Sequence, residues 1–151
     1  MSSTLALPTR GATIALARRL AAALAPGDLL LLEGPLGAGK TYLSRALVRA
    51  LGVDRRTRVT SPTFALVHTY AARLEVWHAD LYRVISGPEV DELGLRAARD
   101  AGAALLVEWG ARFCRELGGD ALLLTLSVEP RTVALEASGP RARALLEGLP
   151  R

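Results

Sequence analysis

The stretch LLLLEGPLGAGKTYLSRALVRAL, Leu29 to Leu51, decides the fold of this 151-residue chain. Its first four residues form a continuous apolar run, which is typical of a strand buried on both faces of a sheet. From Thr41 onward leucines recur at helical spacing until Gly52 ends the helix. A glycine-rich loop joins the two segments. The stretch therefore predicts a strand, a tight loop and a helix in direct succession.

The loop GPLGAGKT has the spacing G-x-x-x-x-G-K-[ST] of a phosphate-binding loop. Its glycines let successive backbone N–H groups face a phosphate, and the positive end of the helix dipole faces the same anion. Lys40 is expected to reach the β- and γ-phosphates, and the Thr41 hydroxyl is expected to bind Mg²⁺. The residues expected around the nucleotide are Gly34, Pro35, Leu36, Gly37, Ala38, Gly39, Lys40, Thr41 and Tyr42.

Lys40 is the single lysine of a chain that has 18 arginines. An ammonium is a compact point charge, whereas a guanidinium is a broad planar fork. A ring of backbone amides closed around a phosphate should admit the first and exclude the second. The choice of lysine at this position therefore supports a phosphate site.

The absence of side-chain amides favours ATP over GTP. Ras-type GTPases read guanine with an N-K-x-D segment and orient water with a glutamine. This chain has no Asn, no Gln and no second lysine. ATP with Mg²⁺ is therefore the expected ligand pair.

Two carboxylates are candidates for Mg²⁺ and for the attacking water. Glu108 ends a second buried apolar run, ALLVE, and Asp80 ends the stretch LEVWHAD, just after a predicted strand. Glu33, just before the loop, is expected to be structural. His78 shares a strand face with Asp80, but two ligands do not make a transition-metal site, so no zinc is expected. His68 is expected to be a satisfied core or edge residue.

The remaining patterns predict helices alternating with strands, and hence an α/β fold with one domain over residues 1–151. It is a P-loop NTPase-like three-layer sandwich with a parallel core sheet and flanking antiparallel strands. The further predicted elements are a strand at Thr4–Leu7, a helix at Arg10–Leu24 capped by Thr9, strands at Phe64–Tyr70 and Leu74–His78, a short helix opened by Ser86, a helix at Ala111–Leu117, a hairpin turning at Glu129–Pro130 and a helix at Arg141–Leu149.

The chain carries no sign of a membrane or secreted protein. No apolar run approaches the roughly 18 residues of a membrane span, and the start MSSTLALPTRG does not read as a secretion signal. Its one cysteine, Cys114, excludes an internal disulfide and is expected to pack. These features predict a cytoplasmic protein that binds no membrane.

Five motifs in this order resemble the TsaE family, small bacterial P-loop ATPases of tRNA threonylcarbamoyladenosine synthesis. They are GPLGAGKT, TSPTF at Thr60–Phe64, HADLYR at His78–Arg83, ELGL at Glu92–Leu95 and VEWG at Val107–Gly110. The resemblance covers roughly Leu5 to Val128. The phosphate loop alone is common to many families, whereas S-P-T-F, D-L-Y-R and E-W in series are far more specific.

The resemblance implies a weak Mg²⁺-dependent ATPase that drives or resets a complex of TsaD and TsaB. That complex transfers a threonylcarbamoyl group to adenosine 37 of tRNA, so tRNA is reached only indirectly. Lys40 and Thr41 would hold phosphate and Mg²⁺, Asp80 would be the metal-side carboxylate, and Glu108 the catalytic or metal-bridging one. TSPTF would be a switch-like loop in which the hydroxyls of Thr60, Ser61 and Thr63 sense the γ-phosphate. Trp109 would lie beside the nucleotide site.

Two other functions stay open at this level. A small-molecule kinase on a P-loop core is the nearer one, but HADLYR and SPTF occupy the place of an acceptor site, so no small-molecule acceptor is expected. A basic RNA-binding module would use the net charge of +4 together with interleaved aromatics, and the chain has only seven aromatic residues. The charge run Asp54–Arg58, with Arg55, Arg56 and Arg58, is expected to be a solvated loop; otherwise it faces tRNA or an acidic partner.

Overall fold

The structure is a computed structural model that describes residues 2–150. It contains seven strands, five α-helices and one short 3-10 turn at Ala111–Phe113. The strands are β1 (Ser2–Ala6), β2 (Leu29–Glu33), β3 (Val67–Ala71), β4 (Glu75–Asp80), β5 (Ala104–Glu108), β6 (Leu122–Val128) and β7 (Arg131–Ala137). The helices are α1 (Arg10–Ala23), α2 (Lys40–Ala50), α3 (Gly87–Glu92), α4 (Leu95–Asp100) and α5 (Pro140–Glu147).

All seven strands form one sheet in the order β1-β7-β6-β2-β5-β4-β3. The central strands β6, β2, β5 and β4 are parallel. On one side of this core β7 pairs antiparallel with β6 and β1 pairs antiparallel with β7, and on the other side β3 pairs antiparallel with β4. Each hairpin predicted from the sequence thus contributes one strand to the parallel core. The predicted fold class, a parallel core sheet with flanking antiparallel strands, is confirmed.

Helices cover both faces of the sheet, which explains the continuous apolar runs of β2 and β5. Alternate residues of these strands enter two separate hydrophobic clusters. Leu30 and Leu106 join the cluster beneath α1, α2 and α5, whereas Leu31 and Val107 join the one beneath α3 and α4. A strand with packing on both faces has no solvent side to fill with polar residues. Because β2, β5 and β4 are parallel neighbours, their carboxyl ends lie together at one edge of this buried sheet.

Leu106 gives a direct test of that core. Its side chain is fully buried in the middle of β5, so Leu106→Ala should lower the free energy of unfolding by about 2–5 kcal/mol. Urea unfolding followed by circular dichroism measures the change. Leu36→Ala is the matched control, because Leu36 is 72% exposed and should change stability by less than about 0.5 kcal/mol. Equal midpoints for the two variants would contradict the packing described here.

Two helix starts match their predictions through side-chain caps. The Thr9 hydroxyl accepts the backbone N–H of Ala12 at 3.1 Å, and the Ser86 hydroxyl accepts that of Glu89 at 3.4 Å. Such caps satisfy N–H groups that have no partner within the first helical turn. The other predicted boundaries lie within two residues of the observed ones, with two exceptions.

The first exception is the strand predicted at Phe64–Tyr70, which begins only at Val67. Pro62 and Leu66 close a turn through a backbone hydrogen bond of 2.6 Å, and Leu66 has a left-handed backbone with φ of 68°. Phe64 lies on this turn and is 85% exposed. The apolar pattern of the segment thus indicated a strand where the turn prevents one.

The second exception is the helix predicted at Ala111–Leu117, which is only a 3-10 turn at Ala111–Phe113 followed by further turns. Left-handed residues bound the segment, Trp109 before it and Gly118 with Gly119 after it. Between them the backbone N–H groups of Phe113 and Cys114 donate to the carbonyls three residues back, of Gly110 and Ala111, which is the 3-10 pattern. Leu117 is buried all the same, so the pattern marked the core correctly.

Within residues 2–150, no helix is both long enough and apolar enough to cross a membrane.

Candidate nucleotide-binding site

The glycine-rich loop leaves β2 and enters α2 under tight steric constraint. Gly34 has φ of 136°, and a Cβ added there would lie 2.4 Å from the carbonyl oxygen of Leu126 on β6. Gly39, just before α2, has a left-handed backbone with φ of 102°. Both conformations are strained for residues with a side chain. The loop path between the strand and the helix therefore depends on glycine at these two positions.

Lys40 points back into its own loop. Its Nζ donates to the carbonyl oxygens of Gly34 at 2.5 Å and Pro35 at 2.9 Å, and lies 4.2 Å from the centre of the Trp109 ring. Burial lowers the pKa of Lys40 below its ordinary value, while the negative charges of Glu108, Glu33 and Asp80 oppose that shift. The single ammonium of the chain is thus held where the phosphates of a nucleotide would arrive.

The two carboxylates singled out in the sequence lie side by side. Asp80 and Glu108 are register partners at the ends of the parallel strands β4 and β5, and both are buried. The Thr41 hydroxyl donates to Glu108 Oε1 at 2.7 Å. Asp80 Oδ1 accepts the Tyr82 backbone N–H at 3.0 Å, and Thr63 Oγ1 lies 3.5 Å from Asp80 Oδ2. Four oxygen-bearing side chains, of Thr41, Thr63, Asp80 and Glu108, therefore line one cavity at the start of α2.

His78 also belongs to this cluster, although the sequence indicated only a weak metal pair with Asp80. The ring is fully buried, and its Nε2 lies 2.5 Å from Glu108 Oε2. Alternation along β4 was the available signal, because residues two apart point to the same face. The partner on β5 was not readable from that alternation.

An aromatic wall closes one side of the site. Trp109 has a left-handed backbone with φ of 58°, and its backbone N–H donates to the Leu32 carbonyl at 2.9 Å. Its ring centre lies 4.9 Å from that of Tyr82. Glu33 does not line the cavity, and its Oε2 accepts the Ala111 backbone N–H at 3.0 Å, a structural contact. The wall thus places the Trp109 ring beside the Lys40 ammonium, with the Tyr82 ring against Trp109.

These residues enclose a cavity of about 420 Å³, within the size range of ligand pockets. Of the three hydroxyls expected to sense the γ-phosphate, Thr63 lines the cavity but Thr60 and Ser61 do not. Ser61 is instead 2.6 Å from Thr63, between hydroxyl oxygens, and the Thr60 N–H donates to Tyr70 Oη at 3.3 Å. The lining residues are Leu36, Gly37, Gly39, Lys40, Thr41, Tyr42, Thr63, Asp80, Tyr82, Arg83, Glu108 and Trp109.

Gly34, Pro35 and Ala38 shape the loop without lining that cavity. Across the loop lies a second cavity, of about 410 Å³, which shares Gly37, Gly39 and Tyr42 with the first. Its other lining residues come from the start of α1 and the start of β7, and were missed in the sequence: Pro8, Thr9, Arg10, Thr13 and Arg131. A groove between α1 and α2, of about 380 Å³, contains arginines but no carboxylate.

The donor set fits Mg²⁺ better than a transition metal. Thr41, Asp80 and Glu108 offer hard oxygen ligands, and Mg²⁺ in nucleotide sites takes one or two carboxylates together with phosphate oxygens and water. Across residues 2–150, no group of three or more His, Cys, Asp or Glu is arranged to hold a metal by itself. Mg²⁺ at this position would complete its shell with phosphate oxygens and water.

Comparison with known proteins places these features in a family. The family model for "Threonylcarbamoyl adenosine biosynthesis protein TsaE" matches residues 7–135. The tRNA threonylcarbamoyladenosine biosynthesis protein TsaE of Bacillus subtilis is 35% identical over 143 residues, which cover 92% of this chain and 88% of that protein. The protein of the same name from Streptomyces coelicolor is 41% identical over 115 residues, with 74% and 76% covered.

A third relative of that name, from Rickettsia conorii, is 43% identical over 95 residues, which cover 62% of this chain. The chain spans about half of this longer protein, 53%. The crystal structure of Bacillus subtilis YdiB superposes with a TM-score of 0.80 at 29% identity, covering 99% of this chain and 94% of that one. The resemblance read from the motifs is confirmed. Because the family model and the Bacillus relative extend over most of its length, the chain belongs to the TsaE family.

Proposed function

We propose that this chain binds ATP with Mg²⁺, hydrolyses it slowly, and couples hydrolysis to formation of threonylcarbamoyladenosine in tRNA through TsaD and TsaB. One observation carries the proposal: the carboxylates of Asp80 and Glu108 meet Thr41 and Lys40 in a single cavity. The names of the relatives support the link to tRNA modification. We take the chain to act as one domain, in the cytoplasm, where tRNA is modified.

Phosphate binding is the part of the proposal that falls to the loop and Lys40. The ammonium leaves the carbonyl oxygens of Gly34 and Pro35 and donates to the β- and γ-phosphates instead. The backbone N–H groups from Gly37 to Tyr42 face the same oxygens, aided by the dipole of α2. The base and ribose occupy the second cavity, beside Arg10 and Arg131.

The carboxylates divide the remaining work. Thr41 and Asp80, with Glu108 beside them, hold Mg²⁺, which when bound neutralises charge on the phosphate oxygens. Glu108 also orients the attacking water and accepts its proton, because its carboxylate is buried and faces the loop. Trp109 and Tyr82 limit the access of bulk water.

The segment Thr60–Phe64 acts as the switch. Thr63 is already near Asp80, while Thr60 and Ser61 are held outside the cavity by Tyr70 and Thr63. A γ-phosphate draws these hydroxyls inward and orders the turn, and its loss releases them. The exposed Phe64 moves with the turn and transmits the nucleotide state to the partner complex.

The decisive experiment measures ATP hydrolysis by this chain alone and with TsaD and TsaB from the same source. We expect slow turnover alone and a clear rise with the partner complex. Lys40→Ala should abolish this turnover. Arg45→Ala is its matched control, because it also removes a positive charge from α2 but lies exposed and outside the 420 Å³ cavity. Turnover that ignores the partners would detach the ATPase from tRNA modification.

Asp80→Asn tests the proposed metal ligand. Asparagine keeps the size of the side chain but removes its charge, so Mg²⁺ should improve ATP affinity about tenfold less in the variant than in the wild type. Isothermal titration with ATP, with Mg²⁺ and then with EDTA, gives both affinities. Asp91→Asn, at an exposed site on α3, should behave as wild type. An unchanged gain from Mg²⁺ in Asp80→Asn would remove Asp80 from the metal site.

A further inference from the structure

His78 is a buried polar residue to which the proposed reaction assigns no task. Its side chain is 0% exposed and that of Glu108 is 2% exposed. The two lie on the neighbouring parallel strands β4 and β5, and Nε2 is 2.5 Å from Glu108 Oε2. A contact this short between two buried groups fixes the relative orientation of both.

Glu108 is held from two directions. Oε1 accepts the Thr41 hydroxyl from α2, and Oε2 faces the imidazole from β4. A carboxylate with one partner on each oxygen cannot rotate about its last bond without losing a buried hydrogen bond. Thr41 is also a candidate ligand of Mg²⁺, so His78 is the partner of Glu108 that has no second assignment.

Packing alone does not account for a histidine at this position. Nδ1 is buried and has no hydrogen-bond partner among residues 2–150. Leaving a polar atom buried and unpaired is unfavourable. His78 pairs in register with Leu106, in an apolar cluster where an aliphatic side chain would avoid that cost. The contact with Glu108 is thus the polar interaction that distinguishes histidine from leucine here.

We propose that His78 is a positioning residue that donates Nε2–H to Glu108 and keeps its carboxylate turned toward the phosphate loop. This inference rests on the proposed ATPase function and deepens it. His78 does not touch the nucleotide, because it does not line the cavity. Its loss should therefore lower kcat and leave KM for ATP nearly unchanged.

Two amide variants distinguish the hydrogen bond from His78 to Glu108 from the mere filling of space by the imidazole ring. The side-chain nitrogen of His78→Gln reaches the place of Nε2 and can still donate to Glu108. His78→Asn is one methylene shorter, so its nitrogen stops near the place of Nδ1 and cannot. We expect kcat of the Asn variant to fall about ten- to hundredfold, and that of the Gln variant to stay within about threefold of wild type. Equal kcat values for the two variants would overturn the proposal.

A second comparison asks whether His78 acts through Glu108. In a chain that already carries Glu108→Ala, adding His78→Asn should lower kcat no further, because the group to be positioned is gone. A further tenfold loss in that double variant would show a separate role and overturn the inference. Urea midpoints of all variants show which of them fold. If the Asn variant does not fold, the Gln variant alone decides: a Gln variant that folds but has a tenfold lower kcat would also overturn the proposal that His78 positions Glu108.

A spectroscopic measurement makes the test independent of hydrolysis. The chain has only two histidines, and His68→Gln assigns their ring signals. Long-range ¹H–¹⁵N spectra should show the His78 proton on Nε2, and Glu108→Ala should shift that signal. A wild type that carries this signal but hydrolyses no ATP would refute the proposed function and leave the contact standing. A His78 signal indifferent to Glu108→Ala would refute the contact itself.

Discussion

Alanine in place of Lys40 is expected to weaken ATP binding at least about a hundredfold, the loss typical of removing one partner from a charge-assisted contact in a buried site. Lys40 is 5% exposed, and its ammonium lies within the phosphate loop that lines the cavity. Without it the β- and γ-phosphates face Asp80 and Glu108 with less compensating charge. Isothermal titration with ATP and Mg²⁺ gives the dissociation constants.

Lys40→Arg sharpens this test, because it keeps the charge and changes only the shape. A planar guanidinium should not fit inside the ring of loop amides that closes around a phosphate, so this variant should also bind ATP poorly. Arg45→Ala removes an exposed charge from the same helix and should bind as wild type. Wild-type affinity in Lys40→Arg would refute the steric explanation, and wild-type affinity in Lys40→Ala would refute the phosphate site.

Replacement of Glu108 by alanine is expected to separate binding from turnover. The carboxylate is proposed to accept a proton from the attacking water, a contribution worth about 10²–10⁴ in rate. ATP affinity should change only a few-fold, because Lys40 and the loop amides remain. Single-turnover hydrolysis and titration with ATP measure the two quantities on the same preparation.

Glu136→Ala is the matched control for Glu108→Ala. Glu136 is an exposed carboxylate on β7, away from the cavity, and its loss should leave both quantities unchanged. Hydrolysis at the wild-type rate in Glu108→Ala would remove the proposed role. Asp80 would then be the remaining buried carboxylate of the cavity able to act as the base.

The phosphate loop and the two acids were predictable because local pattern fixes them. A buried run followed by glycines, Lys40 and a helical period has few alternatives to a strand, loop and helix. Glu108 ends such a run and Asp80 follows a predicted strand, and the carboxyl ends of parallel strands lie at one edge of a sheet. That the two acids are direct register partners is a finding of the structure, since this geometry brings them to one edge without fixing the register.

Contacts between distant segments were not predictable. The His78–Glu108 contact depends on the register of β4 against β5, which apolar periodicity leaves open. Arg10 and Arg131 share a cavity only because β1 and β7 pair at the sheet edge. Phe64 follows an apolar pattern, yet the left-handed turn at Leu66 keeps it outside any strand.

The carbonyl partners of Lys40 have a consequence for how affinity arises. The ammonium is bound by the carbonyl oxygens of Gly34 and Pro35, so we expect ATP to bind by displacing these contacts. The loop acts as a competing ligand, tethered at high effective concentration, and the observed affinity is the intrinsic one multiplied by the fraction of chains whose ammonium is released. By linkage, a partner that keeps the ammonium away from these carbonyls would tighten ATP binding without contacting the nucleotide. The gain in affinity equals the factor by which it raises the released fraction.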